Sequence, residues 1–352
     1  KSSAASDVYK RQILISSGGS GSQCQQSLIY KLYTMQPVIY PVEKEKLLAE
    51  LTEDKFLRKT NKAGNEIYTF TAYNAPNLMR EVGRIRELTF RSAGGGTGKE
   101  IDIDEFDVNP DTPYQQLIVW DPKEKEIIGG YRYIVCDHLA LNAEGEPNLA
   151  TTELFRFSDA FKSDYLTQMI ELGRSFVHPL YQSTRMGRKS LFALDNLWDG
   201  LGALTVDNPN IRYFFGKVTM YTSFNIHARD MILYFMRKYF RDTEGLVQPI
   251  HPLEIHIDET KLQSVFTGSN YEEDYKILSR HVRDLGENIP PLVNAYMSLS
   301  PSMRCFGTAI NPGFGGVEET AILINIADVY EAKKLRHIAT YIPRFLGLKI
   351  KR

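Results

Sequence analysis

The chain has 352 residues, 43% of them hydrophobic, which is enough for a sizeable core in one elaborated domain or two modest ones. With 42 basic and 43 acidic residues the net charge is -1, so there is no global field for nucleic acid or an anionic membrane, and any anion site must be local. Cys24, Cys136 and Cys305 are far apart and lack CxxC spacing, so neither a disulfide framework nor a zinc centre is indicated. No stretch is apolar for long enough to span a bilayer, and a reducing, cytoplasmic setting is expected.

Residues 1–34 show no sustained period and contain a Ser/Gly run, and SSAASDVYKRQ resembles translated adapter sequence; an ordered chain is expected from Met35. Residues 35–72 read as a strand-like piece and a helix. A helix over Ala75–Ser92 follows, with Asn74 as cap, Pro76 in the first turn and Leu78, Val82 and Ile85 on one side. Gln115–Trp120 and Ile127–Val135 are strand-like runs joined by the charged turn DPKEKE, a hairpin. Met169–Val177 and Tyr213–Tyr221 are further strands, separated by a helix over Ser190–Thr205, and a helix from about Thr222 to Phe240 closes a core of residues 73–240. Residues 241–285 are charged, with Pro249 and Pro252, and read as a surface insertion. Residues 286–330 return to the core pattern in Leu292–Leu299 and Ala321–Val329, and 331–352 form a basic tail. The fold class is α/β of the α+β kind, with a mixed, largely antiparallel central sheet flanked by helices.

Three clusters carry chemistry. In IDIDEFD, Asp102, Asp104, Glu105 and Asp107 crowd carboxylates that need positive partners, the bland alternative being a solvated acidic loop. Neither histidines nor an EF-hand spacing accompany them, so no metal is expected. Arg86, Arg132 and Arg174 sit at half-buried positions, and buried arginines need carboxylates. Glu171 and Arg174 fall on opposite faces of a regular strand, and a bulge would bring them together. YQSTRMGRKS places Arg185, Gly187, Arg188 and Lys189 before a helix, an anion site suited to phosphopantetheine, or an ordinary basic turn.

The order of these pieces resembles the acyl-homoserine-lactone synthases of the GNAT superfamily, through Arg86/Phe90, Asp104/Asp107, Arg132 and Glu171/Arg174, although Asp102 stands where those synthases usually have Glu. A nearer resemblance is to the "hemolysin-like" ornithine-lipid and glycine-lipid N-acyltransferases, which share the late motif of Ile289, Pro290, Pro291, Leu292 and Tyr296 and the segment Asn311, Pro312 and Phe314. GGYRYI, TTELFRFS and ELGRSFVHPLYQ are most similar to Bacteroidetes members acylating glycine. The resemblance implies a GNAT-like fold and transfer of a long-chain, in some members 3-hydroxy, acyl group to a small amino acid, glycine before ornithine. Homoserine-lactone synthesis and a membrane-active hemolysin are the competing readings.

The basic loop departs from the GNAT pattern at Thr184 and Lys189, which favours acyl carrier protein over coenzyme A as donor, and no permanently bound cofactor is implied. For the chemistry, Glu171 is the first choice of general base, with an ion-pairing role as its alternative. Arg132 or Arg174, oriented by Asp104 and Asp107, would hold the acceptor carboxylate, and backbone N–H groups near Ser175, Phe176 and Val177 would meet the oxyanion. The tail after Glu331 carries seven basic residues, a docking element for acidic carrier protein or anionic lipid at the inner membrane face, or a frayed terminus.

Overall fold

A computed structural model of the protein describes residues 35–139, 141–182, 188–255 and 258–343, with the backbone alone over 188–191. The readings for 1–34, for Arg185 and Gly187, for the side chains of Arg188 and Lys189, and for the tail beyond 343 lie outside the described residues.

Among the described residues ten strands follow one another as β1 (Phe56–Lys59), β2 (Glu66–Phe70), β3 (Gln115–Asp121), β4 (Glu126–Val135), β5 (Phe155–Phe157), β6 (Met169–Val177), β7 (Tyr213–Met220), β8 (Val247–Pro249), β9 (Arg304–Asn311) and β10 (Val317–Asn325). Eight of them make one sheet in the order β1-β2-β3-β4-β6-β7-β10-β9, while β5 and β8 pair separately. Every neighbouring pair in the large sheet is antiparallel except β6 with β7.

The helices are α1 (Lys44–Glu50), α2 (Pro76–Ala93), α3 (Asp159–Asp164), α4 (Pro179–Gln182), α5 (Arg188–Asp207), α6 (Ile226–Phe240), α7 (Glu259–Val265), α8 (Tyr271–Asp284), α9 (Pro291–Met297) and α10 (Glu331–His337). On one face of the sheet α2 buries Leu78, Val82 and Ile85 against Tyr68, Phe70, Ile118 and Trp120. Each such apolar side chain contributes about 1.5–3 kcal/mol by leaving water. On the other face, Leu197, Leu201 and Leu204 of α5 and much of α6 cover Leu117, Val119, Tyr133 and Ile170.

Asn74 does not cap α2. Its Oδ1 accepts the Thr71 N–H at 2.9 Å, and the open N–H groups of Asn77 and Leu78 donate instead to the Glu50 carboxylate at 3.0 and 2.8 Å. A carboxylate from α1 is thereby drawn to the positive end of α2. The helix stops at Gly94, whose φ of +97° is a left-handed conformation that glycine adopts without strain. Residues 241–285 are only partly a surface insertion. Leu262 and Phe266, with Leu278 and Val282 of α8, are buried beside α6, where Phe235 meets Phe266 and Tyr271, and Lys238 pairs with Asp274 at 2.6 Å.

Two irregularities shape the centre of the sheet. The parallel register of β6 with β7 runs from Met169–Tyr213 to Leu172–Gly216 and then ends, although both strands continue, so they diverge beyond that pair. Along its other edge, β6 pairs Gly173 with Arg132 and Phe176 with Gly130, three residues against two. The extra residue is a β-bulge at Arg174, whose φ is +47°. With this bulge Glu171 and Arg174, on opposite faces of a regular strand, come to one face, that of α2. Phe176 also packs on this face, while Leu172 and Val177 turn to the α5 face.

Candidate active site

A cleft of about 520 Å³ opens where β6 and β7 diverge, and its walls come from both faces of the sheet. On the α2 face the walls carry the charged groups Arg132, Glu171, Arg174, Lys217 and Glu319, beside the rings of Phe90, Phe176 and Phe314. On the α5 face they are apolar and include Leu172, Ala193, Leu194, Pro290, Pro291 and Leu292. The Ile289–Leu292 motif, remote in sequence from the ELGR strand, thus supplies one wall of the same opening.

Behind the charged wall the predicted carboxylates and arginines meet. Arg86, 0% exposed, donates from Nε to Asp102 at 3.0 Å and from Nη1 and Nη2 to the two Asp107 oxygens at 3.2 and 3.1 Å. Gln116 adds a further bond to Asp107 at 2.9 Å. Arg132 holds both Asp104 oxygens at 2.6 Å and lies over the Tyr114 ring at 5.1 Å. Arg174 reaches Asp102 at 2.9 Å and Asp104 at 3.3 Å, with its guanidinium 4.1 Å over the Phe314 ring. Phe314 meets Phe90 edge-on at 5.1 Å, so the early helix motif and the late N-P-x-F segment stack around one arginine. Burial opposes ionisation of Asp102 and Asp104, but the arginines outweigh it: Arg174 and Arg86 hold Asp102 below the usual carboxylate range, and Arg132 and Arg174 hold Asp104 well below it. Three cations face three anions, and the acidic loop is an arginine-binding loop.

Glu171 belongs to a different environment. Its carboxylate accepts the Tyr114 hydroxyl, the Thr151 hydroxyl and the Thr151 N–H, the last at 2.9 Å. Burial pushes its pKa up, and the Tyr114 bond, Lys217 and Arg132 oppose that only in part. A carboxyl so raised is a stronger base than an exposed glutamate. Lys217 and Glu319, neither indicated by the sequence, pair at 3.1 Å. Glu319 also accepts Asn311 Nδ2 at 3.1 Å, and against its burial Lys217 and Arg174 keep it ionised.

Backbone donors are available at the divergence. The His178 N–H donates across to Ile128 at 2.8 Å, and strand alternation turns the Val177 N–H the other way, into the cleft. Ser175 and Phe176 line the cleft as well. Helix α5, which supplies Ala193 and Leu194, is described from Arg188 onward.

A bulged strand parted from a parallel neighbour, with a cleft through the sheet at the gap, defines an acyltransferase of the GNAT class, and residues 85–190 match the Acetyltransferase (GNAT) domain. The chain is 58% identical over 308 residues to a glycine N(alpha)-acyltransferase of Phocaeicola vulgatus, an alignment covering 88% of this chain and 94% of that protein. It is 59% identical over 308 residues to a glycine N(alpha)-acyltransferase of Bacteroides thetaiotaomicron, covering 88% of this chain and 91% of that one. The chain belongs to this family of GNAT acyltransferases and is an N-acyltransferase.

Proposed function

We propose that the protein transfers a long-chain acyl group from the phosphopantetheine thioester of acyl carrier protein to the amine of glycine, as the first step of an aminolipid synthesis. The observation that carries this reading is the two-sided cleft. Its apolar wall suits the acyl chain and thioester, and its charged wall suits a small zwitterion, with the strand divergence where the two would meet. The names of the two relatives favour glycine over ornithine and over homoserine-lactone synthesis.

The chemistry needs a neutral amine, a fixed carbonyl and a place for the developing oxyanion. Glu171 takes one proton from the ammonium of glycine, directly or through one water. The nitrogen lone pair attacks the thioester carbon, a C–N bond forms, and the carbonyl oxygen gathers charge against the Val177 N–H. One such donor is worth about 2.7–4 kcal/mol in the transition state. Collapse breaks the C–S bond, and the thiolate leaves with the proton that the nitrogen gives up. Holding both reactants across one opening removes most of the entropic cost of their encounter.

The N-terminal turn of α5, which follows the basic loop, supports a phosphate of the donor arm at that end of the cleft. The reaction is assigned to the cytoplasm, where carrier thioesters are made, with the basic C-terminal segment touching carrier protein or the inner membrane face. Among the described residues no helix is long and apolar enough to cross a membrane.

Expression of residues 35–352 in a bacterium lacking aminolipids, followed by mass spectrometry of lipid extracts, tests the reading. New N-acylglycines are expected. Unchanged extracts, or lysis without new lipid, would reject it. With purified protein, kcat/KM is expected to be at least about tenfold higher for the carrier thioester than for the coenzyme A thioester of the same chain.

A further inference from the structure

The vertex of the cleft holds a cation to which the reaction above gives no role. Lys217 is the first residue of β7 beyond its last register pair with β6, and its side chain is 12% exposed. Its Nζ donates to the Ala150 carbonyl at 3.1 Å and pairs with Glu319 at 3.1 Å. An ammonium has three donors, so among the described residues one N–H of Lys217 has no protein partner. Burying an ammonium costs several kcal/mol unless its partners are complete. A donor left over on the wall of a cleft is therefore a place for a ligand acceptor.

The arginines are poorer candidates for that task. Arg86 is 0% exposed, and Arg132, whose side chain is 2% exposed, holds Asp104 through Nη1 while its Nε, unpartnered among the described residues, is sealed from solvent and so out of a ligand's reach. Arg174 is committed to Asp102 and Asp104 and stacked on Phe314. Lys217 faces the right way. Glu171 is in register with Phe215, and Lys217, two residues further along β7, returns to the same face of the sheet. The Lys217 charge acts on the Glu171 carboxyl, favouring its ionised form against burial.

We propose that Lys217 binds the α-carboxylate of the acceptor amino acid at the vertex of the cleft, and that Glu319 is the positioning residue that fixes its ammonium there. The amine, one carbon from that carboxylate, then lies between Lys217 and Glu171. The inference rests on the amino-acid reading above but not on the identity of the side chain, because the contact is with the α-carboxylate.

The test is steady-state kinetics of the full chain with a long-chain acyl thioester of acyl carrier protein, using glycine and its uncharged analogue glycinamide. Lys217→Met keeps the stem and removes the charge. It is expected to raise the glycine KM about 100-fold, to leave the donor KM within about threefold, and to erase the wild-type preference for glycine over glycinamide, any change in kcat through Glu171 being common to both acceptors. Glu319→Gln is expected to raise the glycine KM about tenfold. An unmoved glycine KM in Lys217→Met, or an equal loss with both acceptors, overturns the inference and leaves the glycine reading standing. If the wild-type protein acylates another amino acid, the glycine reading falls and the same comparison on that acceptor still judges Lys217. Preference for an amine without a carboxylate overturns both.

Discussion

The arginine–aspartate cluster and the Lys217 vertex lie side by side on the α2 face and are made of the same kinds of group, yet they are saturated to different degrees. In the cluster, Arg86, Arg132 and Arg174 meet Asp102, Asp104 and Asp107, three charges against three, with the Nη1 and Nη2 of Arg86 spread across both oxygens of Asp107. At the vertex, Lys217 has one carboxylate and one carbonyl for its three donors, and Glu171 is an acid raised by burial. Charge matched by charge out of reach of solvent marks a scaffold, even though the buried Arg132 Nε keeps no partner among the described residues, whereas a spare donor on the cavity wall marks a place for substrate.

The comparison can be broken most sharply at Arg86. Arg86→Met leaves Asp107 buried without its bidentate partner and Asp102 with Arg174 alone, and breaking a buried pair from one side costs about 3–5 kcal/mol. The expected result is a loss of that size in urea unfolding. A variant that stays as stable as the wild type would show that the cluster is not the scaffold. Glu171→Gln should do the opposite: melting within a few degrees of wild type and product formation lowered at least about tenfold, as loss of a general base does. Normal turnover would return Glu171 to a purely structural role with Tyr114 and Thr151.

Much of the scaffold was legible because its causes are local. Runs of aliphatic and aromatic residues marked β3, β4, β6 and β7, and the E-x-x-R spacing showed that a bulge would bring Glu171 and Arg174 together, as it does with Arg174 at φ +47°. The vertex was not legible. Lys217 and Glu319 stand in GKVT and VEET, which look like ordinary solvent-facing strand positions, and only the adjacency of β7 and β10 brings them together. Tyr114 and Thr151 reach Glu171 from flanking loops that carry no period. Strand β9 escaped because Gly307, at φ +96°, interrupts its alternation. The core side of residues 241–285 did leave a signal, since Tyr271, Tyr275, Leu278 and Val282 recur at helical spacing; charge and proline outweighed it.

Gly216 tests whether the geometry of the divergence matters as much as its charges. A Cβ there would lie 2.5 Å from the Leu172 carbonyl oxygen, at the last paired position of β6 and β7. Gly216→Ala must push the two strands apart, at a cost of about 1–3 kcal/mol. A fall in kcat beyond what the stability loss explains is expected, because the base and the Val177 N–H sit on the strand that moves. Full activity in a destabilised variant would mean that the vertex tolerates the shift.

The smallest effect separates the two regions by sign. Asp102 is held below the ordinary aspartate value of 3.8 by Arg174 and Arg86 against its burial, so its contribution to stability is present above that value and is lost as pH falls below it. Glu171 is displaced upward from 4.5 by burial, so the fold disfavours its ionised form; its contribution is fullest below 4.5 and declines as pH rises through the folded value. Unfolding free energies of Asp102→Asn and Glu171→Gln, measured against wild type from pH 4 to pH 8, should therefore diverge. The Asp102→Asn deficit should be full at neutral pH and begin to shrink only near pH 4, whereas Glu171→Gln should gain on the wild type as pH rises. Parallel curves for the two variants would mean that Glu171 is as fully satisfied as the aspartates, and the contrast between scaffold and site would then have to rest on Lys217 alone.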